Sequence, residues 1–244
     1  MTGSIFTSEA TENTEKPVEM AERMDKGTGD RFGGRKPSRH ERLTGQPWDA
    51  SYQKEPPPWD IGRPQPALAR VASGWAGPLL DAGCGTGEHA LLAASLGLPV
   101  LGVDVAETAV ATARRKAQER GLPAEFALAD ALDLGRLGRK FRTVVDCGLF
   151  HTFDAEDWPA YVASLAAVTD PGGTLYVLCF SDQEPGIGPH PVREDELREA
   201  FEPAGGWEIV SLVPARIHTR FNDEGFAAWL GTMRRHGGTE RDSR

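Results

Sequence analysis

Leu79-Leu80-Asp81-Ala82-Gly83-Cys84-Gly85-Thr86-Gly87-Glu88 runs from a short apolar segment into a glycine-rich turn and then into a helical pattern over 88–96. A strand, a tight glycine turn and a helix start together form a place where backbone can closely approach a nucleotide-like ligand. The glycines fall at 83, 85 and 87, and position 88 is glutamate. A dinucleotide fingerprint, G-x-G-x-x-G, wants glycine at that last position. An acid, Asp81, closes the strand.

Outward from the turn the chain alternates between strand and helix patterns. Strands are expected over 78–82, 99–103, 124–129, 143–147, 174–180 and 207–213, with a seventh over 216–220. Helices are expected over 88–96, 108–120, 155–168 and 194–201. A last amphipathic helix is expected over 225–235, with Phe226, Trp229, Leu230 and Met233 on one face. Unbroken apolar strands alternating with helices predict an α/β fold. The expectation is a Rossmann-like, seven-stranded, mostly parallel sheet with helices on both faces, a final hairpin adding one antiparallel strand.

Ligands of such sheets bind beyond the carboxyl ends of the strands, near the topological switch. Four strand ends carry an acid there: Asp81, Asp104-Val105, Asp130-Ala131, and Asp146-Cys147-Gly148-Leu149-Phe150-His151. A carboxylate in that place costs desolvation unless it is hydrogen-bonded or paired. Asp104 lies about twenty residues after Gly83, the spacing of an acid that binds ribose hydroxyls. NAD enzymes also carry an acid at the end of their second strand, so hydride transfer is an alternative, weakened by Glu88.

Asp81-Ala82-Gly83-Cys84-Gly85-Thr86-Gly87 resembles the E/D-x-G-x-G-x-G turn of class I S-adenosylmethionine (SAM) methyltransferases. Pro171-Gly172-Gly173 before the fifth strand is also similar to many of them. A narrower resemblance lies upstream. Pro58-Trp59-Asp60-Ile61-Gly62-Arg63-Pro64-Gln65-Pro66 looks like the P-W-D-x-G-x-P-x-P signature of thiopurine- and thiol/halide-methyltransferase-like enzymes and of bacterial heterocycle methyltransferases. The resemblance covers roughly residues 45–235. It implies SAM as cofactor, held by Gly83, Cys84, Gly85 and Gly87, with Asp81 at the turn or the ammonium. It further places Asp104 and Val105 at the ribose, Asp130 and Ala131 at the adenine, and His89, Asp146 and Trp59 beside the cofactor.

The resemblance also implies that residues 43–66 fold over the site as a lid. Trp48 and Trp59 then pack on the cofactor or the acceptor, or else anchor the segment to the core. A sulfonium is attracted to aromatic faces, and a closed lid excludes water. Arg63 either binds an acidic substrate group or pairs with Asp60. Phe150 and His151, after the fourth strand, are candidate acceptor contacts. Methyl transfer needs a general base only for an acceptor protonated at neutral pH. His151 is the candidate for that role; capping the following helix or touching the cofactor are its other readings. His190 and His218 show no partner pattern. The glycine- and proline-rich loop 181–191 is placed to border the acceptor pocket.

Composition bounds the rest. The chain has 244 residues and a formal net charge of −9, which argues against a general nucleic-acid binder. Cys84, Cys147 and Cys179 show no metal-ligand or disulfide spacing and read as buried fillers; no metal is expected. No apolar signal or membrane-spanning run is present, so a cytoplasmic, monomeric or weakly oligomeric protein is expected. Residues 1–42 are polar and read as a disordered tail, with the domain over 43–244. The expected activity is methylation of an O, N or S nucleophile on a small aromatic or heterocyclic molecule. Methylation of thiols, chalcogens or halides is one alternative, and a non-catalytic SAM-binding protein is another.

Overall fold

The computed structural model describes residues 46–184, 191–201 and 206–237; the expected tail, and residues 185–190 of the 181–191 loop with His190, lie outside them. In chain order the elements are α1 (Gln46–Tyr52), α2 (Pro66–Val71), β1 (Leu79–Ala82), α3 (Glu88–Ser95), β2 (Val100–Asp104), α4 (Glu107–Arg120), β3 (Ala124–Leu128) and β4 (Phe141–Cys147). They continue with α5 (Trp158–Val168), β5 (Thr169–Phe180), α6 (Glu194–Phe201), β6 (Trp207–Thr219) and β7 (Asn222–Arg235). The strands form one seven-stranded sheet in the order β3-β2-β1-β4-β5-β7-β6. β7 alone among these strands runs against the direction of the other six. The order reverses between β1 and β4, so the turn after β1 opens at the switch point.

Leu79 and Leu80 show why the strands read as unbroken apolar runs. Successive residues face opposite sides of a strand, and both sides are covered. Leu80, Val103, Val144 and Leu175 meet Tyr161 and Leu165 of α5 and Phe201 of α6 in one core layer. Leu79, Val100, Val145 and Leu178 meet Leu68, Leu91 and Val110 from α2, α3 and α4 in the other.

The expected terminal helix over 225–235 is instead strand β7. Its Trp229 and Met233 enter one core layer, and Ala228 and Leu230 the other. A strand buried on both faces is apolar at every position, so a helical spacing of apolar residues is satisfied by coincidence. Pairing with the exposed edge of β5 along 174–180 decides the outcome. The separate strands expected over 207–213 and 216–220 are one strand, β6, running through Pro214. Proline lacks an N–H, and β6 tolerates it as an edge strand. Asp170-Pro171-Gly172-Gly173 bulges out of β5: Phe141 pairs with Thr169, but the next pair is Thr143 with Thr174.

Candidate functional site

The glycine turn is set by what surrounds it. Gly85 has φ 51°, and a Cβ there would stand 3.1 Å from the Tyr52 hydroxyl oxygen. Gly87 has φ 90°, and a Cβ there would lie 2.8 Å from the Phe126 ring and 2.9 Å from Ala113. One glycine therefore admits the N-terminal segment, and the other lets α3 close onto β3 and α4. The Cys84 side chain turns into the core, so only its backbone faces the turn.

Asp81 is completely buried. Its Oδ2 accepts the Ala90 N–H at 3.0 Å, while Oδ1 is buried with no partner. Burial, with the nearby Asp104 and Asp146 carboxylates, pushes its pKa up to about 7, against the pull of the Ala90 N–H. An unmatched buried carboxylate oxygen beside a glycine turn is a site for a cationic group. Asp104 accepts Gly85 N–H at Oδ2 (2.8 Å) and Ala106 N–H at Oδ1 (2.9 Å). The carboxylate keeps room for another donor, and the side chain is only partly buried. Asp130 caps the short helix that begins at Ala131: its Oδ1 accepts Leu132 N–H at 2.8 Å. Val105 is partly exposed beside Asp104, and Ala131 is buried in the core layer behind Asp130.

Residues 46–66 form an aromatic strap over this turn. Trp59 meets Trp48 edge-on at 6.1 Å between ring centroids and Tyr52 at 6.2 Å. The Trp59 indole N–H donates to the Tyr52 hydroxyl at 2.9 Å. Burial, then the Asp104 carboxylate, pushes the Tyr52 hydroxyl pKa far up, so it stays protonated. Asp49 accepts Thr108 N–H at 2.6 Å, capping α4, whose own N-cap residue Ala106 offers no side-chain bond. Asp60 accepts Gly62 N–H (3.1 Å) and the Thr86 hydroxyl (2.7 Å). The Gln65 side chain exchanges two hydrogen bonds with the His218 backbone, and Arg220 reaches the carbonyls of Pro56 and Pro58.

The family profile described as "Methyltransferase domain" matches residues 79–173. The chain is 36% identical over 192 residues to the 2-heptyl-1-hydroxyquinolin-4(1H)-one methyltransferase of Mycobacteroides abscessus, spanning 73% of this chain and 83% of that relative. The chain belongs to the SAM-dependent methyltransferases. It is also 29% identical to the probable thiol methyltransferase 2 of Arabidopsis thaliana, over 68% of this chain and 75% of that one. Among solved structures it superposes with a TM-score of 0.71 and 38% identity on a protein from work on conversion of a disulfide bond into a thioacetal group during echinomycin biosynthesis. That match covers 80% of this chain and 94% of the other.

The cofactor of this methyltransferase is SAM, and the orphaned Asp81 Oδ1 fits its ammonium. Several expected site residues are re-assigned by their surroundings. Asp146 is fully buried and spent on the protein: it accepts Leu149 N–H, Phe150 N–H and the Tyr161 hydroxyl. It holds the turn after β4, with both oxygens engaged by protein donors. Burial pushes its pKa up to about 7, moderated by those three donors. Phe150 is fully buried, stacked on Trp158 at 4.9 Å and packed on Phe201, so it is core and not an acceptor contact.

His89 Nε2 accepts Gln65 N–H at 3.1 Å, and burial lowers its pKa to about 4. It is a neutral anchor for the strap. His151 Nδ1 accepts Phe180 N–H at 3.1 Å. A neutral imidazole with one nitrogen accepting carries its hydrogen on the other, so Nε2 is a donor and not a base in this arrangement. Its ring lies 4.6 Å from that of Phe180. Arg63 is exposed and Asp60 is committed to Thr86 and Gly62, so the Asp60–Arg63 pair does not form. Among the described residues no group of three or more His, Cys, Asp or Glu could hold a metal, and no helix is long and apolar enough to cross a membrane.

Two residues were not among the expected site residues. Tyr52 lies over the turn, and the signal was its place four residues after Trp48, on one helix face. Thr86 joins the turn to the strap, and no local pattern marks it.

Proposed function

We propose that this chain transfers the methyl group of SAM to a nucleophilic oxygen, nitrogen or sulfur of a small aromatic or heterocyclic molecule. The observation that carries the reading is the aromatic strap closed on the glycine turn. Trp48, Tyr52 and Trp59 offer ring faces where a sulfonium and a flat acceptor would both be held. The similarity to an enzyme named for a hydroxyquinolinone supports the same acceptor class.

The turn backbone and Asp81 hold the amino-acid end of the cofactor, Asp104 the ribose hydroxyls, and Asp130 with Val105 and Ala131 the adenine. Bound there, SAM supplies a methyl carbon already activated by a sulfonium. The chain then needs to orient and to exclude water rather than to donate or withdraw protons. The strap does both. Phe180 and Phe226, edge-on at 6.4 Å, and His151 wall the acceptor side. Trp48 and Arg63 border the acceptor entrance.

The test is a screen with methyl-labelled SAM across hydroxyquinolones, phenols, aromatic thiols and halides. Label entering a flat aromatic acceptor at the highest kcat/KM supports the reading. Label entering only halides or small aliphatic thiols moves the chain to the thiol and halide class.

A further inference from the structure

The acid at position 88 stands where a dinucleotide fingerprint would have glycine, and its surroundings show what it does. Glu88 is 7% exposed and sits on the first residue of α3. Arg120 clamps it with two bonds of 2.8 Å, and the Lys116 ammonium donates to its Oε1 at 2.9 Å. Burial opposes its charge, but the Arg120 and Lys116 donors prevail and hold its pKa below the usual carboxylate range. The same Lys116 ammonium donates to the Thr86 hydroxyl oxygen at 2.6 Å. Thr86 in turn donates its hydroxyl hydrogen to Asp60 of the strap at 2.7 Å.

The direction of every bond in this chain is determined. An ammonium only donates and a carboxylate only accepts, so the threonine hydroxyl between them has one possible orientation. Donation from Lys116 polarises that hydroxyl and strengthens its bond to Asp60. Thr86 also lies between Gly85, whose N–H is tied to Asp104, and Gly87, which precedes α3. A displacement of the turn therefore moves the hydroxyl that holds the strap. Among the other polar anchors of the strap, Asp49 reaches Thr108 of α4, Gln65 reaches His89 of α3 and His218 of β6, and Arg220 of the hairpin reaches Pro56; none of these partners is a residue of the glycine turn. The Glu88 carboxylate, on the first residue of α3, ties that helix to Lys116 and Arg120 of α4.

We propose that Thr86, Glu88 and Lys116 are positioning residues that couple the state of the cofactor turn to closure of the aromatic strap through Asp60. Glu88 and Arg120 fix the lysine, the lysine orients the threonine, and the threonine latches the strap while the turn grips its ligand. The inference rests on the reading that the strap closes over bound cofactor.

The experiment measures dissociation of S-adenosylhomocysteine from the full-length chain by stopped-flow tryptophan fluorescence, with Trp48 and Trp59 as reporters, alongside equilibrium affinity and thermal melting. A hydrogen bond to a charged group sets the scale, so Thr86→Val should release the ligand roughly tenfold to a hundredfold faster. Thr86→Ser should restore a rate within about twofold of wild type. Glu88→Gln should accelerate release in the wild-type background and add nothing to Thr86→Val. Unchanged release from Thr86→Val, or an effect of Glu88→Gln that adds in full to it, overturns the coupling. If Thr86→Val does not fold, Asp60→Asn takes its place in the same cycle with Glu88→Gln, with the same two outcomes. Failure of the wild-type chain to bind the ligand would instead refute the closed-strap reading itself.

Discussion

Replacing Asp81 with asparagine should make the free protein more stable and its cofactor binding weaker. The side chain is fully buried, with one oxygen satisfied by Ala90 and the other by nothing. Its pKa rises from 3.8 to about 7. About three pH units at roughly 1.36 kcal/mol each make the ionised group about 4 kcal/mol unfavourable in the free protein. Because the folded value lies above the unfolded one, this penalty is absent below about pH 4, grows between about pH 4 and 7, and is complete above 7.

Asparagine keeps an oxygen for the Ala90 N–H and carries no charge. Asp81→Asn should therefore raise Tm at pH 8 by roughly 10 °C and by little at pH 4. SAM binding should fall by roughly 2–5 kcal/mol, at least about thirtyfold in Kd, because a neutral amide replaces the partner of its ammonium. In the wild type, affinity should rise as pH climbs through about 7 and the carboxylate ionises; the variant should lack that limb. Thermal melts at several pH values, with and without SAM, and isothermal titration read all of this. A variant that binds SAM as well as wild type, or melts lower at pH 8 without ligand, would refute the reasoning.

Phe150→Ala should cost about 3–5 kcal/mol in denaturant unfolding, since it empties a stacked core position, and should leave the acceptor KM near wild type. Asp104→Ala should weaken SAM at least about tenfold by titration, since it removes both the ribose acceptor and the bond from Gly85; unchanged affinity would remove it from the site. His151→Ala should slow transfer to protonated and to ionised acceptors by similar factors in a kcat comparison across acceptor pKa. A loss confined to protonated acceptors would restore a general base.

The turn, the switch point and the alternation were legible because each has a local signature. Glycines at 83, 85 and 87 mark a turn, and buried parallel strands leave apolar runs. The terminal strand was not legible. Phe226, Trp229, Leu230 and Met233 fit a helix and a two-sided strand equally, and the free edge of β5 that decides between them is remote in sequence. At the site, acids at strand ends flagged Asp81 and Asp104, but the same rule also selected Asp146. Asp81 keeps one unmatched oxygen and Asp104 a partly exposed side chain, whereas both oxygens of the fully buried Asp146 are taken by Leu149, Phe150 and Tyr161, which reach it only after the turn following β4 has folded. His151 shows the same limit: its position suggested a base, and the Phe180 N–H fixes the tautomer that argues against one. Glu88 was visible as a departure from a motif, while its partners Lys116 and Arg120 lie one helix away.

The most direct measurement is label transfer from methyl-labelled SAM to a hydroxyquinolone acceptor, with wild-type chain and Asp81→Asn side by side. The labelled methyl group should appear on the acceptor at a rate that saturates in both substrates, and the variant should require far more SAM to reach the same rate. A wild-type chain that binds SAM tightly and labels no flat aromatic or heterocyclic acceptor would contradict transfer to that acceptor class as its function.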